Sequence, residues 1–167
     1  MRLVLLALAA CSNAANPSTD APLAPIDAAG DSGSPDAPIG LRILVVNEVA
    51  AGDTPDWFEV VNVTGGAIQL DQFVYCDVPN DFAKAKAFPA MTLGPGEYHA
   101  QDVDDTISGF KLGSDEELWI YRSSDQALSD GVDWAEAAAP TGMSFRRVPD
   151  RTGAFATGEQ SKGVANP

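Results

Sequence analysis

The chain has 167 residues, with 24 acidic and 10 basic side chains and a formal net charge of −14. That length suits a single domain. The acidity excludes a binder of phosphate backbones, which needs a basic stripe, and it disfavours docking on anionic lipid headgroups. No stretch approaches the roughly 20 consecutive apolar residues of a membrane-spanning helix.

Arg2 precedes an apolar run over residues 3–10, which ends in Leu8-Ala9-Ala10 and is followed at once by Cys11. A positive start, a short apolar stretch and small residues at a cut point describe an export signal. With the cysteine placed directly after, the segment resembles a bacterial lipoprotein signal. The resemblance implies a signal peptide over residues 1–10, cleavage before Cys11 and lipidation of Cys11. It also implies a membrane partner reached through that lipid and residence in the cell envelope. An ordinary signal peptide with a chance cysteine is the alternative. Ser12, where aspartate is associated with inner-membrane retention in some bacteria, tips the expectation toward an outer-membrane lipoprotein, periplasmic or surface-facing.

Residues 11–40 read as a lipidated cysteine and a disordered linker. Leu23, Ile26 and Ile39 are its only sizeable apolar side chains, against five prolines and four unpaired aspartates. Such a composition cannot bury enough apolar surface to offset its ordering entropy. Fully extended, it reaches about 90 Å.

From residue 41 onward the pattern is all-β. Residues 42–49 are rich in Ile, Leu and Val, and residues 56–63 alternate, with Phe58 and Val60 on one face and Trp57 and Glu59 on the other. Thr64-Gly65-Gly66 reads as a tight turn, with the glycines supplying unusual backbone angles and Asn62 bonding the turn backbone. Further strands are expected over 67–76, 97–101, 117–122, 127–134 and 144–148, with at most one helical turn over 134–139 before Pro140. Many short strands separated by turn signals indicate a sandwich or barrel. Phe58, Val60, Leu118 and Ile120 are the expected core.

The order of these motifs resembles the lamin tail domain. The carrying residues are Val46-Asn47-Glu48-Val49, Trp57-Phe58-Glu59-Val60-Val61-Asn62, Leu93-Gly94-Pro95-Gly96-Glu97-Tyr98, Glu117-Leu118-Trp119-Ile120-Tyr121, Gly142-Met143-Ser144-Phe145-Arg146-Arg147 and the closing Gly163-Val164-Ala165-Asn166-Pro167. The likeness covers nearly all of residues 43–167. Gln72-Phe73 stands where the family has Gly-Trp, and Ser161-Lys162 precedes Gly163 in place of Thr-Pro. The resemblance implies an immunoglobulin-like β-sandwich over 41–167. It names no ligand, since function does not follow from a sandwich.

Candidate chemistry is sparse. His99 is the only histidine, and no nucleophile-elbow pattern accompanies it, so a Ser-His-Asp site is not expected. Cys76, flanked by Asp71 and Asp77, reads as a buried, inert thiol. Arg146, Arg147 and Arg151 read as a solvated strand edge. Asp102, Asp104 and Asp105 in one loop, with Asp53 and Asp56 in another, are the candidates for calcium, which takes six to eight oxygens; a solvated acidic rim is the favoured explanation. Trp57 and Glu59, facing away from the core set, are the candidates for external contact, with a packed aromatic beside a paired carboxylate as the structural alternative. The expectation is a non-catalytic display protein without a cofactor, acting as a protein or envelope-polymer interaction module. A calcium-dependent surface-polysaccharide binder, or an accessory module to an extracellular hydrolase, is the alternative.

Overall fold

The computed structural model describes residues 40–167. The expected signal peptide, the lipidation at Cys11 and all but the last residue of the linker lie outside the described residues. The eleven strands among the described residues are β1 (Leu44–Ala50), β2 (Asp56–Asn62), β3 (Ile68–Gln69), β4 (Phe73–Cys76), β5 (Lys86–Ala87), β6 (Thr92–Leu93), β7 (Tyr98–Val103), β8 (Glu116–Arg122), β9 (Ala127–Trp134), β10 (Met143–Val148) and β11 (Ala154–Glu159). They form an all-β sandwich. One sheet has the order β11-β10-β1-β2-β7, the other β5-β4-β8-β9, and β3 pairs with β6 alone. Every strand pairing among the described residues is antiparallel.

Alternation decides which side chains meet between the sheets. Leu44, Val46, Phe58, Val60 and Phe145 from one sheet join Phe73, Tyr75, Leu118, Ile120, Val132 and Trp134 from the other in one core cluster. Phe58 sits edge-on to Tyr75 at 5.1 Å and to Phe88 at 5.9 Å, arrangements that suit the ring quadrupoles. The four expected core residues are all fully buried. A second cluster, Cys76, Trp119 and Tyr121, lies on the outer face of the four-stranded sheet, where Phe82 covers it.

A bulge in β9 helps to join the sheets. In β9, Ile120 pairs with Asp130 but Tyr121 pairs with Leu128, so Ser129 is an extra residue. Its Oγ accepts from Leu44 N at 3.0 Å and donates to Leu44 O at 2.7 Å. Asp130 Oδ2 accepts from Val46 N at 2.9 Å and from Arg147 Nη2 at 2.9 Å, while Arg147 Nε donates to Val46 O. The first half of β1 is thus tied to the edge of the opposite sheet by side chains acting in place of a strand.

Several expectations change. The run 67–76 is not one strand: a 3-10 turn at Leu70–Gln72 interrupts it and buries Leu70. Residues 134–139 form no helix; Trp134 closes β9, and Ala138 N bonds Ala135 O in a turn. Strand β11 was not foreseen, because its small residues carry little apolar alternation. Gly65 and Gly66 do not adopt positive φ, and a Cβ on either would meet nothing within 4 Å. The turn is closed instead by Asn62, whose Nδ2 donates to Gly66 O and whose Oδ1 accepts from Thr64 N. Gly96 does need its glycine, with φ +72°.

The arginines are not a solvated edge. Arg147 is 5% exposed, paired to Asp130 and lying over the Phe155 ring at 4.5 Å. Arg151 lies over Tyr98 at 5.0 Å, and Arg146 Nη1 donates to Pro167 O. Removing one member of a buried ion pair strands the other, which costs about 3–5 kcal/mol, whereas replacing both by apolar side chains of similar volume is close to neutral. Arg147→Ala is therefore expected to lower the unfolding free energy by about that amount in urea titrations, and Asp130→Leu with Arg147→Met to recover most of it. A loss below about 1 kcal/mol for Arg147→Ala would contradict the assignment.

Candidate functional site

The outer face of the five-stranded sheet carries an unusual set of polar residues. A bulge in β1 between Val46 and Glu48 makes Asn47 an extra residue, so Asn47 and Glu48 both serve this face. Glu48 lies directly opposite Glu59 on β2, and both are completely buried. Trp57 follows on the same face at 2% exposure. Trp57 and Glu59 face away from the core and are nevertheless buried, which agrees with the packed alternative for Trp57 and leaves neither side chain open to contact from outside in this structure. The C-terminal segment after β11 lies over them.

This segment acts as a strap. Gly163 N donates to Glu59 Oε2 at 2.6 Å, and Asn47 Nδ2 donates to Glu59 Oε1 at 3.0 Å. Glu48 Oε1 accepts from Ser144 Oγ at 2.5 Å and from Ser161 N at 2.9 Å. Asn166 Nδ2 donates to the carbonyls of Asn47 and Arg147, and Asn166 N donates to Asp150 Oδ1. Lys162 Nζ sits 5.1 Å from the Trp57 ring centroid and bonds Asp102 Oδ1 at 2.6 Å. Trp57 Nε1 donates to Asp53 Oδ2. Burial, countered by Asn47 and Gly163 and reinforced by Glu48 and Asp150, raises the Glu59 carboxyl to about 7. Burial also works against ionised Asp150, but Tyr98, Asn166, Asn47 and Arg151 outweigh it and hold that group below its ordinary value.

The acidic loops meet at one end of the sandwich. The turn between β1 and β2 and the loop between β7 and β8 line a cleft of about 450 Å³, walled by Asp53, Asp56, Asp104, Asp105 and Lys111 with Ala51, Pro55 and Leu112 as apolar surface. The two groups of aspartates singled out in the sequence are brought together here, apart from Asp102, which serves the strap. They do not converge as ligands. Asp104 Oδ1 accepts from Thr106 N, Thr106 Oγ1 and Ile107 N, a loop cap that holds this carboxyl below its usual range, the Thr106 hydroxyl contributing most. Asp105 pairs with Lys111 at 3.2 Å, and Asp53 accepts from Gln160 as well as Trp57. Asp56, 7% exposed, accepts from Leu112 N, and burial raises its carboxyl. Among the described residues, no three or more His, Cys, Asp or Glu side chains are arranged to hold a metal ion.

His99 lies on β7 opposite Val60, half-buried against the Phe88 ring at 6.1 Å. Its Nε2 is 3.4 Å from Gln101 Oε1, and burial lowers its basicity. Cys76 is fully buried, donates Sγ–H to Val78 O at 3.1 Å, and is pushed up to about 11 by burial. Sequence reasoning missed Asn47, Glu48, Ser161 and Lys162 as a connected unit. The legible signal was a carboxylate inside the apolar run Leu44-Val45-Val46-Asn47-Glu48-Val49-Ala50, since such residues are seldom buried without partners.

Compared with known proteins, the chain matches no family model, no curated protein and no solved structure.

The thiol geometry is testable in a chain carrying Cys11→Ser. Ellman's reagent at pH 8 is expected to find almost no reactive thiol in the folded protein and about one equivalent in denaturant, because the thiolate is the reacting form. Rapid native reaction would contradict the burial of Cys76.

Proposed function

We propose that this chain is an exported, lipid-anchored display protein, held to the cell envelope through Cys11 and carrying an immunoglobulin-like sandwich of the lamin tail type. The domain acts by binding, as a protein or envelope-polymer interaction module, and performs no chemistry. The observation that carries this reading is the division of the polar residues. The motif residues Asn47, Glu48, Glu59 and Asn166, together with Ser161, bond one another inside the fold. What the loop end offers outward is a preformed cleft with acidic walls and apolar patches, beside Ile107 at 53% exposure. Concave, partly apolar surfaces with a few placed polar groups are the usual form of binding sites.

Calcium-dependent binding of a surface polysaccharide is the second reading, favoured by the meeting of both acidic loops at one cleft. It requires the Asp104 cap and the Asp105–Lys111 pair to open, so it predicts a Tm that rises with calcium.

The test is photocrosslinking in intact cells, with the crosslinker placed at Thr106 beside the cleft or at Gly66 on the β2–β3 turn, each with and without Cys11→Ser. A discrete adduct from position 106 of the anchored chain alone is the expected result. Equal labelling from both positions, or an adduct that persists without the anchor, would contradict an envelope module working through this cleft. Cys11→Ser is also expected to shift the protein from the membrane to the soluble fraction, and retention on the membrane would remove the lipid anchor from the account.

A further inference from the structure

Glu48 and Glu59 are two carboxylates in direct cross-strand register, both fully buried. None of the ion pairs among the described residues includes either of them. The charged and titratable groups around them make their contacts elsewhere, with the Nε of Arg146 left buried and without a hydrogen-bond partner. On β1, Glu48 itself faces Glu59. On β7, Asp102 is taken by Lys162, and Tyr98 donates to Asp150 Oδ2. On β10, Arg146 is opposite Glu48 but donates to Pro167 O. After β10, Asp150 pairs with Arg151, whose Nε also donates to Tyr98. On the strap, Lys162 is the sole cation and points to Asp102 and Trp57.

The hydrogen count in this cluster is informative. Asn166 Nδ2 donates to two carbonyls, which fixes the amide so that Oδ1 faces Ser161 Oγ at 2.6 Å. Ser161 Oγ is also 2.8 Å from Glu48 Oε2. One hydroxyl hydrogen cannot fill both contacts, since Asn166 Oδ1 is an acceptor only. A proton retained by the carboxylate pair fills the second. Burial, with Glu48 in cross-strand register and neither carboxylate in an ion pair, also favours a proton on Glu59.

We propose that residues 160–167 are a proton-gated latch, closed over the outer face of the sheet while the Glu48–Glu59 pair holds a proton and loosened when that proton leaves. The sign follows from linkage. Glu59 is raised in the folded state from an ordinary 4.5 to about 7. The closed form therefore gains stability that is fully present below pH 4.5 and is lost as pH rises through about 7. Opening the latch uncovers Trp57 and releases Lys162, so alkalinity exposes an aromatic and a cation that acidity hides.

The test is amide hydrogen exchange on the full chain from pH 5 to pH 8 at fixed ionic strength, corrected for intrinsic exchange. Protection at Ser161 and Gly163, whose amides bond the two carboxylates, is expected to fall at least about tenfold across that range, a pKa difference of one unit being tenfold in the opening constant. Glu59→Gln should flatten the profile. Glu48→Gln, which leaves a lone carboxylate, should move the fall to lower pH and decides the matter if Glu59→Gln does not fold. Wild-type protection that is flat from pH 5 to pH 8, or a pH dependence unchanged in the folded variants, would overturn the proposal.

Discussion

The burial of two carboxylates on the outer face of a sheet is the constraint around which this domain is organised. A buried charge without partners costs several kcal/mol. The chain meets that cost by bringing backbone and side-chain donors to Glu48 and Glu59 from Asn47, Ser144, Ser161 and Gly163. The donors come from distant parts of the sequence, so satisfying them fixes the bulge in β1, the course of the chain after β11 and the placement of Asp150 at once. A sheet face that sandwiches usually leave to solvent becomes a second interior, with Trp57 sealed under Lys162.

The same economy operates between the sheets. The bulge in β9 lets Ser129 and Asp130 bond the backbone of β1, and Arg147 completes the tie. Polar side chains thus join the two sheets along one side, while the apolar core fills the space between them. With the motif residues occupied in this way, the loops at the opposite end from the Asn62 turn are left to differ in shape and charge. Loops held on a rigid scaffold are where binding surfaces are commonly found, and the proposed display role places its contact there.

Much of the fold was legible in the sequence because alternation reports burial directly. The run Asp56-Trp57-Phe58-Glu59-Val60-Val61-Asn62 gave the right strand and the right inner face. Alternation says which face a side chain occupies and is silent on what covers that face. Trp57 and Glu59 were assigned to the correct side, yet nothing in their spacing revealed a strap arriving from a hundred residues away. The arginines illustrate the same limit. Arg147 looks like part of an exposed basic run until Asp130, on another strand, is seen to neutralise it. The short strands β5 and β6 and the plain strand β11 were missed because two residues, or a run with Phe155 as its one large apolar side chain, carry no periodicity to read. The acidic loops were found as composition, but their partners, the cap at Asp104 and the ion pair at Asp105, depend on loop geometry.

The central claim is that the strap is part of the fold, required by the carboxylates beneath it. The most direct test is deletion of residues 161–167 from the full chain, followed by urea unfolding at pH 6. Losing the donors from Ser161 and Gly163 leaves two buried carboxylates short of partners. The unfolding free energy is expected to drop by about 3 kcal/mol or more, with Trp57 fluorescence shifting toward that of an exposed indole. A truncated chain whose stability stays within about 0.5 kcal/mol of the full chain, with unchanged fluorescence, would contradict the account.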